Sequence, residues 1–245
     1  MTRRRWIADQ ATDTTATLTG SQAEHLARVL RAQPGMEADL VANGRVYRAT
    51  IASVQPQAVE FTLQEEIAYE RALPITLVMA IFKFDRMEWA IEKATELGAA
   101  TIVPVLARRT EKHLGLAAQK RVERWRRIAQ EASQQSRRAD IPQIEDPIAL
   151  SAWLPREPST ARILLSEEER KHSLRHRLEA ILNSPADDLP SIACAIGPEG
   201  GWTSDEITLF QNHNWQSASL GPRILRAETA AIAAVTLTTA LLADL

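Results

Sequence analysis

The first seventy residues alternate apolar and polar positions in short runs closed by turn-forming residues, which predicts β-strands rather than long helices. Asn43-Gly44 separates Asp39–Ala42 from Arg45–Ile51, and Asn-Gly suits the positive φ values of a two-residue hairpin turn. A third run, Ala58–Leu63, follows Gln55-Pro56. One helix interrupts the pattern: Ser21 and Glu24 have capping-box spacing ahead of Leu26, Val29 and Leu30. From about Leu73 the period changes. Ile75–Ile81 reads as a buried strand, after which Asp85 and Glu88 are expected to cap a helix with Met87, Ala90, Ile91, Ala94 and Leu97 on one face and Gly98 just past its end. Strand-like runs recur at Ala100–Leu106, Arg162–Leu165, Ile192–Ile196 and Ser217–Leu220, with helical segments between and after them. That alternation predicts an α/β domain with a mostly parallel sheet. The charged stretch Gln64–Arg71 marks the expected boundary between a domain of residues 1–70 and one of residues 71–245.

With 45% hydrophobic residues in 245, the chain can bury a sizeable core. The lone Cys194 excludes an intramolecular disulfide framework, and its apolar strand makes it a packing residue. No apolar run has the length of a membrane span, and the basic residues after Met1 are followed by no apolar stretch of a secretory signal, so a soluble cytoplasmic protein is expected. The net charge of -2 announces no polyanionic partner, but it conceals a local excess: between Arg108 and Arg138 ten Lys and Arg residues face three Glu. There Val122, Trp125, Ala129 and Ala132 form an apolar helical stripe, while Lys120, Arg124 and Arg127 point the other way, toward phosphates or simply toward water. His172 and His176 lie four apart without the glutamate of H-E-x-x-H, so no metal site is expected. The segment Ala230–Leu242 is apolar around much of its circumference and suits either a core helix or a dimer face.

Two turns carry the chemistry. Ile196–Ile207 follows a strand and leads into a helix capped by Thr203 and Glu206, and Gly197, Gly200 and Gly201 within it permit positive φ or close backbone approach. Taken alone it is either a tight structural turn or a place where a ligand lies against bare main chain; its spacing is neither G-x-G-x-x-G nor a P-loop. A second such turn, Leu220–Ala230, also follows a strand and opens a helix. Together they can form one pocket, with Ile196, Leu220, Ile224 and Leu225 as apolar walls for an adenine ring and peptide groups reading its edge. Arg223, Arg226 and Glu228 add charge beside it.

The pair GPEGGWTSDEI and LGPRILRAETA, preceded by Glu92–Gly98 (EKATELG) and Glu131–Arg137 (EASQQSR), resembles the ribosomal RNA small-subunit methyltransferase E family of the SPOUT superfamily. The motifs span positions 92 to 230, and the β-rich N-terminal module resembles the family's PUA-like β-barrel. The resemblance implies a trefoil-knotted C-terminal domain, a homodimer, S-adenosyl-L-methionine as methyl donor, and methylation at N3 of a uridine in small-subunit ribosomal RNA. It makes Leu165, Ile196, Gly197, Glu199, Gly200, Gly201, Leu220, Gly221, Ile224 and Leu225 the expected cofactor-binding residues. The expected RNA contacts are Arg3, Arg5, Lys120, Arg124, Arg127, Gln135, Arg137 and Arg223.

A uracil N3 that still carries its proton is a poor nucleophile, so catalysis needs a cation beside O2 or O4 and an acceptor for the proton. Arg226 is the expected stabiliser and Glu228 the base or its orienter, with Glu199 the competing carboxylate. Two other readings stand beside this one: a catalytically silent RNA-binding or ribosome-assembly factor, and a SPOUT methyltransferase with another RNA target.

Overall fold

A computed structural model describes residues 4–70, 72–184 and 188–243, and the chain divides into two compact units. The first falls within Met1–Arg71 together with Glu131–Ile141; the second comprises Ala72–Gln130 and Pro142–Leu245. Arg3, expected to touch RNA, lies outside the described residues.

The first unit holds strands β1 (Trp6–Ile7), β2 (Gln10–Ala11), β3 (Thr15–Thr19), β4 (Glu37–Ala42), β5 (Arg45–Gln55) and β6 (Ala58–Glu66) in the order β1-β4-β5-β6-β3-β2. All pairs are antiparallel except β1 with β4. Asn43 (φ 51°) and Gly44 (φ 73°) turn β4 into β5 with both φ values positive, as the Asn-Gly pair requires. Register shifts between Tyr47 and Ala49 and between Ile51 and Ser53 bend β5, and the sheet curls into a half-barrel around Trp6, Leu18, Leu40, Ile51, Val59 and Phe61. Residues 131–141 belong here through their bonds: the Arg5 N–H donates to the Gln134 carbonyl at 3.1 Å, and Arg137 pairs with Asp39 at 2.6 Å.

One local expectation fails in this unit. The short helix α1 (Gly20–Glu24) has Thr19 rather than Ser21 as its N-cap, with no side-chain cap bond. The Thr19 hydroxyl and N–H both donate to Asp9 Oδ2, and the helix begins at Gly20, two residues earlier than a box on Ser21 requires. His25–Val29 then forms a π turn, closed by Leu30 N–H on the His25 carbonyl. The extra residue in the turn shifts the helical phase, so Leu26 is buried while Val29 is 64% exposed.

In the second unit, β7 (Ile75–Ala80), β8 (Thr101–Leu106), β9 (Gln143–Ile144), β10 (Ile148–Ala149), β11 (Ala161–Leu165), β12 (Ile192–Ile196) and β13 (Gln216–Ala218) form a sheet ordered β10-β8-β7-β12-β11-β13, with β9 also on β8. Its pairings are parallel. Side chains alternate across the strands, so Ile75, Leu77, Met79, Ile192, Cys194 and Ile196 enter one core layer while Val78, Ala80, Ala193 and Ala195 enter the other. Helices α2 (Phe84–Glu96), α3 (Lys112–Ala118), α4 (Val122–Gln135, through its residues up to Gln130), α6 (Leu174–Leu182) and α8 (Ala227–Ala243) supply the first layer; α5 (Leu150–Trp153) and α7 (Ser204–Asn212) supply the second. Both sheet faces are therefore covered, as a parallel sheet requires.

Met87, Ala90, Ile91 and Ala94 are buried as their spacing predicts, and Gly98 (φ 100°) follows the end of α2. The expected cap is not formed: Lys83 is the N-cap without a side-chain bond, and Glu88 faces Arg124 at 2.8 Å instead. Helix α8 buries Ala231, Ala234, Val235, Thr238 and Leu242, so one of its faces belongs to the core. Among the described residues, no helix is long and apolar enough to cross a membrane.

Cys194 lies inside this core, its thiol pushed up to about 12 by burial. At pH 8 the native protein is expected to resist a thiol-specific disulfide reagent and to release one equivalent only in denaturant. Rapid modification of native protein would contradict the buried placement.

Candidate functional site

The carboxyl ends of neighbouring parallel strands converge on one cleft of about 340 Å³. Residues after β11, β12 and β13 line it, joined by Arg86 from α2 and by Arg109 from the loop after β8.

The turn after β12 is built by its glycines. Gly201 has φ 71°, and its N–H closes the turn on the Pro198 carbonyl at 2.8 Å. A Cβ on Gly197 would stand 3.2 Å from Trp202 Nε1, so the bare main chain lets the indole pack against the turn. Thr203 and Glu206 then form the expected capping box of α7. Glu206, 5% exposed, does more than cap: Oε2 accepts from the Thr203 N–H and hydroxyl, while Oε1 accepts the Arg108 N–H at 2.7 Å. One buried carboxylate thus fastens the loop after β8 to the start of α7. Arg109, next in that loop, donates to the carbonyls of Gly200 and Trp202.

After β13, the Gly221 N–H donates to Ser219 Oγ at 3.1 Å, and Gly221 has φ 118°. A Cβ there would meet no atom within 4 Å. The position is open yet conformationally closed to branched residues, and Ala227 begins α8 six residues later.

Of the residues expected at a cofactor, Leu165, Ile196, Gly197, Glu199 and Gly201 line the cleft from β11 and the first turn. Leu220, Gly221, Ile224 and Leu225 line it from the second turn, Ile224 with 81% of its surface exposed. Gly200 is not a lining residue; it contributes the carbonyl that Arg109 holds. Arg223 and Arg226 line the cleft, but Glu228 lies behind it in the first turn of α8, its side chain 8% exposed. Lys120, Arg124 and Arg127 are exposed, with Arg124 engaged by Glu88. Arg5, Gln135 and Arg137 are in the first unit, where the Arg5 guanidinium donates to the Arg137 carbonyl.

Sequence reasoning missed Arg86 and assigned Arg109 only to a basic segment. Arg86 donates to Glu199 Oε1 at 2.7 Å, and its Nε is 3.9 Å from Glu228 Oε1. Lys83 approaches Glu199 from the same side at 3.8 Å. The available signal was positional, since both arginines follow closely on apolar strands whose carboxyl ends face a ligand crevice. The assembled cleft offers main-chain groups and apolar walls to a flat polar ring, and arginines to an anionic substrate.

Residues 69–239 match the RNA methyltransferase domain, and residues 18–64 match the RNA methyltransferase PUA domain. Fold and site thus define an RNA methyltransferase of SPOUT type with a PUA domain. A ribosomal RNA small subunit methyltransferase E of Synechocystis sp. is 36% identical over 239 residues, which is 96% of this chain and 76% of that protein. Its counterpart in Bacillus subtilis is 33% identical, covering 90% of this chain and 88% of the relative. The crystal structure of the enzyme from Neisseria gonorrhoeae bound to S-adenosyl methionine superposes with a TM-score of 0.83 at 27% identity, covering 97% of each chain. The chain belongs to the ribosomal RNA small subunit methyltransferase E family.

Replacing Glu206 by alanine removes the carboxylate half of the α7 capping box, while Thr203 still accepts the N–H of residue 206, and leaves the Arg108 N–H without its acceptor. A loss of about 2 kcal/mol in unfolding free energy is expected in urea denaturation, the scale of a cap plus a buried hydrogen bond. An unchanged midpoint would show that Glu206 does not fasten the two segments.

Proposed function

We propose that this protein transfers the methyl group of S-adenosylmethionine to N3 of a uridine in small-subunit (16S) ribosomal RNA. The cleft between the two glycine turns carries the reading, in a chain whose relative from Neisseria gonorrhoeae holds that cofactor. The residues present fit the group: Gly197 and Gly201 leave main chain bare, Gly221 leaves open the space a Cβ would fill, and Leu165, Ile196, Leu220 and Leu225 provide apolar walls. Bound there, S-adenosylmethionine supplies a methyl group activated on a sulfonium.

The protein's own contribution is to make N3 electron-rich. Arg223 and Arg226 line the cleft with no ion pair among the described residues, so their guanidinium donors are available to substrate. Arg226 stabilises negative charge on a uracil oxygen, and Arg223 meets RNA. Glu199 is occupied by Arg86 and Lys83, and Glu228 is buried behind the cleft, which favours water as the proton's destination and an orienting part for Glu228. Lys120, Arg124 and Arg127 meet RNA phosphates, Arg124 exchanging Glu88 for them, Arg3 and Arg5 add to the RNA-binding edge, and Gln135 and Arg137 contact RNA near the reacting base.

The same reading includes a cytoplasmic location, a homodimer and the family's trefoil knot. The dimer is supported by the partly exposed face of α8, where Ile232, Ala233, Thr236 and Ala240 carry no charge. The knot is supported by the non-sequential neighbours β7-β12-β11-β13.

Nucleoside mass spectrometry of small-subunit RNA from cells with and without the protein tests the reading. One methyluridine should disappear; an unchanged profile would favour the silent assembly factor, and loss of a different methylated nucleoside would favour another RNA target. Arg226→Ala should leave cofactor binding nearly intact and slow single-turnover methylation roughly a hundredfold, with partial recovery as pH rises. A normal chemical step in that variant would remove Arg226 from the mechanism.

A further inference from the structure

Of the four arginines that line the cleft among the described residues, Arg86 stands between the two glycine turns. Its guanidinium donates to Glu199, inside the first turn, and its Nε faces Glu228, the second residue of the helix that follows the second turn. Glu228 is buried, and its Oε2 has no hydrogen-bond partner. A buried carboxylate needs a counter-charge, and Arg86 is the cation paired with it among the described residues. Glu199 differs, because Lys83 remains beside it whether or not Arg86 is present. Loss of Arg86 therefore strands Glu228 and spares Glu199.

We infer that Arg86 is a positioning residue for the cofactor cleft, clamping the turn at residues 197–202 to the amino end of α8 and so setting the spacing between the two turns. The inference rests on the cofactor reading above. Arg86 acts through Glu199 and Glu228, and its effect falls on the affinity for S-adenosylmethionine more than on methyl transfer itself. The helix start adds to the arrangement: the free N–H groups of the first turn of α8 favour the negative charge that Arg86 balances.

The clamp predicts a specific coupling. Arg86→Met keeps much of the side-chain bulk but removes the charge, and should raise the KM and Kd for S-adenosylmethionine by roughly tenfold or more, a larger effect than any fall in kcat that comes through the orienting part of Glu228. Arg86→Lys should recover part of that affinity. Arg86→Met combined with Glu228→Gln should recover most of it, because no buried carboxylate is then left without a cation. Calorimetry on all four proteins, with circular dichroism to establish folding, reads these outcomes. If Arg86→Met fails to fold and the double variant folds, the pairing is supported; if neither folds, Arg86→Lys with and without Glu228→Gln decides, the inference requiring that lysine weaken binding and that the second change restore it. Wild-type affinity in Arg86→Met, or a double variant no better than the single, would overturn the inference while leaving the cofactor reading intact. Failure of the wild-type protein to bind S-adenosylmethionine would instead overturn that reading.

Discussion

The second unit depends on the burial of β12. A central parallel strand must have both peptide edges paired and both faces covered, and β12 meets this with β7 on one edge, β11 on the other and helices over each face. Its five residues, Ile192–Ile196, are at most 2% exposed. Because all its neighbours run parallel, their carboxyl ends arrive together, and loops of quite different sequence meet in one cleft. Peptide groups that leave the sheet at that end need new partners. The glycine turns let ligand or side chains supply them at close range.

Charge in the cleft is divided by partner. Arg86 and Arg109 are committed to the protein, the first to carboxylates and the second to the carbonyls of the glycine turn. Arg223 and Arg226 line the same cleft with no ion pair among the described residues. This division separates construction of the site from its chemistry, so a site rich in arginine need not attract polyanion with every one of them. A comparable commitment is seen on α4, where Arg124 serves Glu88 and Arg126 serves Glu123 and Asp146. The ten cations of the segment are consequently fewer as free charges than as residues.

Local rules held where one interaction dominated and failed where a distant residue competed. The Asn43-Gly44 turn and the Thr203–Glu206 box are as their sequences require, since positive φ and a hydroxyl three residues before a glutamate act within a single turn. Ser21 and Glu24 have similar spacing, yet Asp9, ten residues before Thr19, takes the donors at the helix start. Asp85 and Glu88 fail for the same kind of reason: Glu88 finds Arg124, which a reading of neighbours in sequence has no means to anticipate.

By itself the sequence determined the alternation of strands and helices, the two glycine turns and about half of the residues that line the cleft, because periodicity and backbone permissiveness are local properties. The family motifs were legible for the same reason: each lies within about a dozen consecutive residues. The two turns share the one cleft their sequences suggested, but tertiary structure alone decided that Arg86 stands between Glu199 and Glu228, that Glu206 ties the loop after β8 to α7, and that residues 131–141 join the first unit. Each of these pairs groups far apart in the chain, and their meeting follows from strand order. Strand order is set by the summed burial of whole elements, and no single stretch of sequence carries that sum.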